Sequence, residues 1–251
     1  MIALAQNRAF LYAASITGGL AAWEIAAHNV SRIIVAPPSA VASRLIEGIA
    51  SGALPQAFTA SLGHMIIGLA IAFAIALPLG LFLGRNRAAA EYVEPVTAAL
   101  YAIPPVAFVP IIVIWCGFQF EARITLVALM SVFEMLFAFS AGARNIPPSL
   151  LDVGRSFGAI RWPLIRKVML PAMLPFVLTG LRLGVVRAIH GMIVAELFFA
   201  AVNLGALMKR DAARFDSAGV LAIVVVLAVF GLASHEGLKA LEWKLFPQKR
   251  A

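Results

Sequence analysis

The sequence predicts an all-α polytopic membrane protein with six transmembrane helices and a short cytoplasmic helical segment between the fourth and the fifth. Three observations predict this class: 62% of the 251 residues are hydrophobic, 13% are charged, and the mean hydropathy is +0.95. Soluble domains carry about 25% charged residues, so this composition is typical of a chain that lies in lipid. We expect residues 1–251 to form a single transmembrane domain.

Six segments are long and apolar enough to cross a bilayer, whose core is about 30 Å thick and requires roughly 20 residues per helix. They are residues 9–27, 65–83, 96–120, 124–143, 176–199 and 217–232. The first contains Glu24 near its end and alanines after its core, so a signal peptide is an alternative for it. Because five further spans follow, we favour an uncleaved first helix.

The third span is uncharged but contains three prolines, Pro104, Pro105 and Pro110. Proline removes a backbone hydrogen-bond donor and kinks or breaks a helix. We therefore expect this segment to begin as an interfacial helix from Glu91 or Glu94 and to enter the membrane bent.

The net charge of +8 is interpreted through membrane topology, without a nucleic-acid partner, because Lys and Arg gather on the cytoplasmic side of membrane proteins. With the N-terminus inside, the inner segments hold twelve of these cations and the outer segments six. The inner cations are Arg8, Arg85, Arg87, Arg144, Arg155, Arg161, Arg166, Lys167, Lys239, Lys244, Lys249 and Arg250. The outer cations are Arg32, Arg44, Arg123, Lys209, Arg210 and Arg214. This distribution predicts that both termini are cytoplasmic.

The connection between the fourth and fifth spans carries one acid and four cations over residues 152–171, and it begins with the pattern of a helix. Ser149 and Asp152 have the S-x-x-D spacing of a capped helix start. Leu150, Val153 and Phe157 then recur at three- and four-residue intervals on one face. We expect a short amphipathic helix here.

A second short helix is predicted in the same connection. Gly158 is a natural stop for the first helix. The chain can restart as a helix near Arg161, with Pro163 in its first turn, and continue through Leu170 and Pro171 into the fifth span. The expected helix–turn–helix has an apolar face that requires a partner on the cytoplasmic side.

This loop, residues 147–171, resembles the EAA loop of permease subunits in ATP-binding cassette importers. That pattern has an acid and two small residues, then a glycine, an aliphatic residue and Leu-Pro at fixed spacings. Every spacing is kept, and the positions are filled by Asp152-Val153-Gly154, Gly158, Val168 and Leu170-Pro171. Asp for the commoner Glu preserves the charge and Gly for Ala preserves the small size, whereas Val153 is bulkier than usual.

Further landmarks are similar to those of the nitrate/sulfonate/taurine type of permease, in the binding-protein-dependent transport inner-membrane component family. They are Trp23-Glu24, Pro37-Pro38-Ser39, Ser51-Gly52, Pro78-Leu79-Gly80, Ile103-Pro104-Pro105, Gly180-Leu181-Arg182 and Ala195-Glu196. The resemblance covers nearly the whole chain and implies a permease of the bacterial inner membrane. It also implies a small solute, often an anion such as nitrate, a sulfonate, taurine or bicarbonate, although vitamin precursors and aromatic acids use similar permeases.

The same resemblance implies partners: two cytoplasmic ATPase subunits that bind ATP and Mg, a second copy of the permease in a homodimer, and an extracytoplasmic solute-binding protein. The loop would be the coupling helix received by the ATPase. The residues implied in coupling are Asp152, Val153, Gly154, Phe157, Gly158, Arg161, Leu170 and Pro171. The binding protein would land on residues 27–64 and 200–216, whose cations suit acidic side chains.

The chain itself contains no sequence motif of enzyme chemistry. No G-x-x-x-x-G-K-[ST] loop occurs, so ATP must be hydrolysed by another subunit. The single cysteine, Cys116, excludes an internal disulfide and a thiolate cluster. The histidines fall in separate segments without H-E-x-x-H, which argues against an intramembrane hydrolase. We expect no catalytic residue, metal or cofactor in this chain.

Ionisable residues inside the spans are candidates for the translocation path, because burying a charge at the bilayer centre is costly. These residues are Glu134 in the fourth span and Arg187, His190 and Glu196 in the fifth. Two interpretations remain open. Either some of them line the path, or Glu134 pairs with Arg187 across neighbouring helices while Arg182 extends to the inner interface.

Small residues indicate where helices meet. Gly80 and Gly84 form a G-x-x-x-G pattern in the second span, and Gly180 and Gly184 form another in the fifth. We favour packing within the chain over a role in the dimer seam.

An ion-gradient-coupled secondary transporter is the alternative from another class. Such a protein would show inverted repeats with paired broken helices. Only the third span is visibly broken, so the sequence favours the ATP-driven importer.

Overall fold

The computed structural model describes residues 8–31, 34–199 and 201–245. Within these ranges the regular structure is helical throughout. The helices are α1 Arg8–His28, α2 Pro38–Ala50, α3 Ala53–Arg85, α4 Arg87–Ala102, α5 Val109–Cys116, α6 Phe120–Arg144, α7 Pro148–Ser156, α8 Trp162–Leu164, α9 Leu170–Phe198, α10 Asn203–Ala213 and α11 Ser217–Leu245. A 3₁₀ turn precedes α5, and a π-helical segment, Ile165–Met169, joins α8 to α9.

The described residues contain five helices that are long and apolar enough to cross a membrane, or six if the bent pair formed by α4 and Pro105–Cys116 counts as one span. This confirms the all-α, multi-span fold class. The bent pair turns by 91° at its break, as the prolines predict. Of the cations in the topology count, Arg32, Lys249 and Arg250 lie outside the described residues.

The third span begins earlier than expected. Its first helix starts at Arg87, ahead of Glu91 and Glu94, because the Asn86 side chain accepts a hydrogen bond from the Ala89 backbone N–H at 3.1 Å and caps the helix. The helix ends at Ala102, and the next residue, Ile103, is extended, with φ −73° and ψ 127°. A residue before proline is biased to this conformation, so Pro104 fixes the position of the bend.

Other spans are also longer than their apolar segments, the second and the sixth among them. The second was expected at 65–83 but forms part of a helix that begins at Ala53, and the sixth was expected to end at 232 but continues to Leu245. In the added part of α11, Glu236 pairs with Lys239 at 3.6 Å, and Lys239 lies 5.1 Å from the ring centroid of Trp243. Side-chain contacts between neighbouring turns stabilise this polar part of the helix. Its hydropathy is too low for it to be predicted as part of a span.

The chain separates into two compact units. The first contains the described residues up to Thr59 and Val202–Ala228. Its core includes Val41 and Ala222, with Trp23 packed against it. Glu24 of α1 accepts hydrogen bonds from the backbone N–H and the hydroxyl of Ser39, at 3.0 and 2.7 Å. The carboxylate therefore caps the start of α2, and this contact joins two of the sequence landmarks.

The second unit contains Ala60–Ala201 and the described residues from Val229 onwards. Helix α6 lies at its centre, where Phe139 and Met135 are fully buried. A Cβ added at Gly80 would lie 2.7 Å from the Cβ of Phe139, and one at Gly180 would lie 2.6 Å from its ring. Gly84 meets Ala143 and Gly184 meets Met135 in the same way. The glycine patterns therefore serve packing within the chain, which confirms the prediction.

The connection between α6 and α9 is helical, as expected, but its start differs. Helix α7 begins at Pro148 with no side-chain cap, so the capping role predicted for Ser149 is wrong. Proline at the first helical position needs no partner for a backbone N–H. Gly158 ends this helical region with φ +77°, a conformation that favours glycine. From Trp162 to Phe198 the chain is helical without a break.

Candidate functional site

The surface of α7 is divided into a buried and an exposed face. Leu151 and Gly154 are buried, whereas the expected apolar face, formed by Leu150, Val153 and Phe157, is exposed. Phe157 is 88% exposed. A large apolar side chain held in this way indicates a surface that a partner covers.

A groove of about 710 Å³ adjoins the exposed face of α7. Its walls include Phe157 and Gly158 on one side and Pro163, Lys167 and Pro171 on the other. We call this the docking groove. Both helices of the predicted helix–turn–helix line this groove, so a partner inserted into it would contact both of them.

The small residue at position 154 has a local reason. A Cβ at Gly154 would lie 3.0 Å from side-chain atoms of both Leu164 and Val168. The close approach holds α7 against the segment that leads into α9. That segment continues into α9, whose first helical turn contains Leu170 and Pro171.

Two polar residues of the loop lie outside the groove wall. Asp152 pairs with Arg155 at 3.1 Å in an exposed contact one turn apart. Arg161 is exposed and has a φ of +54°, immediately before α8. The left-handed conformation is uncommon for a residue with a Cβ and marks the point where the chain reverses.

The second candidate site lies where α4, α6 and α9 meet. The guanidinium of Arg187 binds Oε1 of Glu134 through Nε at 2.8 Å and Nη2 at 2.7 Å. The Tyr101 hydroxyl donates to the same carboxylate oxygen at 2.7 Å and accepts from Nη2 of Arg187 at 3.0 Å. The predicted pairing of Glu134 with Arg187 is therefore confirmed, and Tyr101 completes a closed network of three side chains.

This network borders a cavity of about 190 Å³. Most of its walls are apolar, including Phe108, Met130 and Phe133. Arg187 and Tyr101 supply its polar wall, whereas Glu134 lies behind them. The Arg187 side chain is 40% exposed, so its remaining N–H groups are accessible from the cavity.

The remaining arginine and the histidine of the fifth span, Arg182 and His190, do not belong to the Arg187 network. His190 is exposed on the same side of α9 as Leu183 and Val186. Arg182 does not extend to an exposed interface as expected, because its side chain is mostly buried and binds Glu242 of α11 at 2.5 Å. The unforeseen extension of α11 supplies that partner.

A third polar cluster is fully enclosed in the second unit. The carboxylate of Glu196 accepts a hydrogen bond from the hydroxyl of Ser61 at 2.9 Å and lies 3.5 Å from Nδ1 of His64. Nε of Arg123 donates to Nε2 of His64 at 3.3 Å. Because Nε2 accepts, the ring proton lies on Nδ1 and faces Glu196. Both Ser61 and Glu196 are 0% exposed.

Sequence reasoning did not group these residues. Arg123 was counted in an outer connection, but it lies in the first turn of α6 and is buried. Glu196 was considered for the path without a partner, and Ser61 and His64 precede the apolar segment of their helix. Tyr101 was not singled out either. The sequence does show polar residues within or next to apolar segments. It does not show which of them pair, because that depends on how the helices pack against one another.

Charges of the first unit pair near the start of α11. The side chain of Arg44 binds Asp216 and also binds Glu47 at 3.0 Å. Hydrogen bonds to these two carboxylates raise the pKa of Arg44. Burial alone would raise the pKa of Asp216, but hydrogen bonds from the Gly219 backbone N–H and from Arg44 outweigh it and lower that pKa. Asp216 thus caps α11 in its charged form.

No group of three or more His, Cys, Asp or Glu that could hold a metal ion occurs in the part of the chain that the structure describes. The polar clusters above pair carboxylates with arginine, histidine and hydroxyl groups. Their chemistry is that of buried ion pairs and anion contacts.

Comparison with known proteins places this arrangement in a family. The family model described as binding-protein-dependent transport system inner membrane component matches residues 76–243. The taurine transport system permease protein TauC of Escherichia coli (strain K12) is 28% identical over 231 residues, covering 90% of this chain and 84% of the relative. The riboflavin transport system permease protein RibX of Chloroflexus aurantiacus is 34% identical over 202 residues, covering 80% of this chain and 75% of the relative.

A third relative and a solved structure are also similar to this chain. The putative aliphatic sulfonates transport permease protein SsuC of Bacillus subtilis (strain 168) is 30% identical over 218 residues, covering 86% of this chain and 78% of the relative. The fold is shared with a chain of the MetNI methionine ABC transporter in inward-facing conformations, with a TM-score of 0.65 and 17% identity, covering 74% of this chain and 92% of that chain. The chain belongs to the binding-protein-dependent transport system inner membrane component family and is the multi-pass permease subunit of an ATP-binding cassette importer, not itself an enzyme.

Proposed function

We propose that this permease imports a small organic anion of the sulfonate type, with α7 as the helix that couples it to a separate ATPase. The observation that carries the coupling role is the exposed apolar face of α7, which adjoins the docking groove and is packed through Gly154 onto the helical segment that leads into α9. An exposed apolar face of this kind requires a partner that covers it, and in this family the partner on the cytoplasmic side is an ATPase subunit.

The coupling residues have distinct roles in this proposal. Val153 and Phe157 insert into the ATPase, and Gly158 permits the reversal that forms the groove. Asp152 and Arg161 are exposed beside the contact, where they can pair with ATPase side chains. Leu170 and Pro171 begin α9 and pass the displacement into the span.

The assembly follows from the same arrangement. Two permeases form a homodimer around the path, and two ATPases bind ATP and Mg and approach each other, carrying the two α7 helices with them. This topology requires α7 and both termini to be cytoplasmic, in agreement with the excess of inner cations. An extracytoplasmic binding protein delivers the solute to the opposite side, where the exposed Lys209 and Arg214 suit an acidic partner.

The solute class rests on the relatives and on one arginine. The relatives named for taurine and for aliphatic sulfonates both act on sulfonates, and the relative named for riboflavin shows that related permeases also carry larger organic solutes. In this chain, Arg187 presents free N–H groups to an otherwise apolar cavity. That combination suits an anionic head with an apolar body better than it suits nitrate or bicarbonate.

The path candidates differ in their support. Arg187 borders the cavity, with Glu134 and Tyr101 as the groups that hold it in place. His190 is exposed on α9 and is available to the path in the assembled dimer. Glu196 is enclosed, so we assign it to the path only through its effect on helix packing.

The test is co-purification of the solubilised permease with its ATPase, comparing wild type with Phe157→Asp. Ser156→Asp is the matched control, because it introduces the same charge on the adjacent residue, about 100° away around a helix. We expect the ATPase to be lost from Phe157→Asp alone, with the permease still dimeric. Gly158→Asp is a harsher variant, because it also strains a backbone with φ +77°.

The same experiment addresses the secondary-transporter alternative. If neither wild type nor the control retains an ATPase while the membrane assembly stays intact, coupling through α7 is wrong. An ion-gradient-coupled mechanism would then have to explain uptake.

A further inference from the structure

A second groove, of about 580 Å³, lies on the opposite side of α7 from the docking groove. It is formed by the end of α3, by α7 and by the segment from α8 to the start of α9. Its apolar walls include Leu77, Leu81, Phe82, Leu151, Trp162 and Ile165. We call it the rim groove.

The rim groove lies where a membrane span reaches the bilayer surface. Helix α3 ends at Arg85, and Leu79 and Phe82 in its last turns are exposed apolar side chains of a candidate span. Trp162 on the facing wall is 63% exposed. Tryptophan is enriched at the membrane–water interface, so the groove opens beside lipid at headgroup depth.

Two cations line the groove at its polar end. Arg85 and Arg155 contribute to the wall, together with Asn86. Among the described residues, no carboxylate lies within ion-pair distance of Arg85. Arg155 pairs with Asp152, but both side chains are more than half exposed, and such a contact is weak. The polar end therefore retains positive charge for a ligand.

We propose that the rim groove binds one anionic phospholipid, with an acyl chain along its apolar walls and the phosphate at Arg85 and Arg155. Its volume falls within the range of about 300–1,000 Å³ that is typical of ligand pockets. Basic pockets between helices at the membrane surface bind anionic headgroups. A free phosphate would leave the apolar walls uncovered, so the lipid is the occupant that satisfies both parts of the groove.

The position gives this lipid a consequence for coupling. Leu151 of α7 and Leu81 of α3 both line the groove, and Leu81 packs against the buried cluster of Ile146, Leu151 and Met169. An acyl chain laid over this cluster supports α7 from the side opposite the docking groove. Removal of the lipid leaves α7 less firmly held against the span, so ATPase retention falls with it.

The test measures lipid directly, without transport. The delipidated permease–ATPase complex is titrated with dioleoyl phosphatidylglycerol or dioleoyl phosphatidylcholine, and bound lipid is counted by native mass spectrometry. The variants are Arg85→Gln, Arg155→Gln and their combination. Arg87→Gln is the control, because Arg87 is an exposed cation two residues away that pairs with Glu91 at 3.1 Å and does not line the groove.

We expect one phosphatidylglycerol per permease to bind in preference to phosphatidylcholine. Replacement of either groove arginine should lower the affinity for phosphatidylglycerol about fivefold, whereas Arg87→Gln should change that affinity less than twofold. Size-exclusion profiles identify any variant that fails to assemble, and the single variants then decide the question. Equal binding of the two lipids, equal losses in the control, or displacement by inorganic phosphate alone would overturn the lipid site.

Discussion

Two polar clusters lie inside the spans of the second unit, and they differ in how far solvent and solute can reach them. The cluster of Glu134, Arg187 and Tyr101 borders a cavity, and its arginine side chain is 40% exposed. In the other cluster, Glu196 is 0% exposed and is enclosed by Ser61, His64 and Arg123. Both clusters contain one arginine and one glutamate, so residue type alone does not distinguish them.

The difference assigns the clusters to different tasks. A buried carboxylate is tolerated only if its hydrogen-bonding capacity is met within the protein. Glu196 contacts Ser61 and His64 of α3, and Arg123 of α6 binds His64 in turn. That cluster joins three helices. The Arg187 cluster satisfies Glu134 with two partners but leaves arginine N–H groups facing the cavity, as the proposed solute contact requires.

The largest expected effect is on stability, from Glu196→Ala. The substitution removes the carboxylate from a buried pair and leaves His64 and Arg123 enclosed without it. Because the imidazole accepts from Arg123, the carboxylate is the counter-charge of that enclosed cation, and leaving a buried charge uncompensated costs about 3–5 kcal/mol. We expect the detergent-solubilised variant to unfold at a markedly lower temperature than wild type in differential scanning fluorimetry.

Ser61→Ala is the matched control for that measurement. It removes one hydrogen bond to the same carboxylate without removing the charge, at a cost of about 1–3 kcal/mol. A Glu196→Ala protein with wild-type stability and no transport would reverse the assignment and return Glu196 to the path.

The second prediction concerns transport, through Glu134→Gln. The neutral amide keeps the size of the side chain but weakens the hold on Arg187, and it leaves the cation without its compensating charge. Uptake of taurine into proteoliposomes that contain the complete transporter should fall at least about tenfold, a loss of roughly 1.4 kcal/mol of transition-state stabilisation. Yield, dimer size and ATPase retention should match wild type.

Arg187→Gln tests the same site from the other side. It removes the proposed anion contact, so it should reduce uptake at least as much as Glu134→Gln does. Normal uptake by a normally assembled Glu134→Gln protein would show that the cluster is only a structural pair.

The sequence predicted those features that depend on short patterns. Hydropathy identified the spans, prolines located the bend, and the spacing of Leu150, Val153 and Phe157 identified the face of α7 that stays exposed. The pair of Glu134 and Arg187 was also accessible, because two opposite charges in neighbouring spans have few other partners. Each of these inferences needed only local information or one pairing.

The remainder depended on how helices are placed against one another. Tyr101 reaches Glu134 because of the position of α4 beside α6, and the 91° bend that follows α4 does not specify this. Glu242 reaches Arg182 only because α11 continues past its apolar part. A helix can start at a side-chain cap or at a proline that needs no cap, and the sequence pattern assigned the start of α7 to Ser149 and not to the preceding proline.

A third prediction sharpens the description of the cavity cluster, through Tyr101→Phe. The phenyl ring preserves the edge contacts with Phe133 and Phe137 but removes the hydroxyl that joins Glu134 to Arg187. Because the direct ion pair remains, the expected loss of uptake is several-fold, corresponding to about 1 kcal/mol. A loss as large as that of Arg187→Gln would make Tyr101 a direct solute contact.

The smallest expected effect comes from a half-buried pair outside the spans, which provides the reference for the two clusters inside them. Asp216→Asn keeps an oxygen that can accept from the Gly219 N–H and removes only the charge opposite Arg44. The loss at pH 7 should be at most about 1 kcal/mol, because water screens this pair.

The pH dependence identifies the source of that effect. Because the pKa of Asp216 is lowered on folding, its charge stabilises the fold above the ordinary value of 3.8, and the contribution is lost as pH falls through the lowered pKa. The difference in unfolding temperature between wild type and Asp216→Asn should therefore be present at pH 7 and vanish at the acidic end of the accessible range. A difference that persists unchanged in acid would assign the effect to the helix cap and not to the ion pair, and the comparison with the clusters inside the spans would then need another reference.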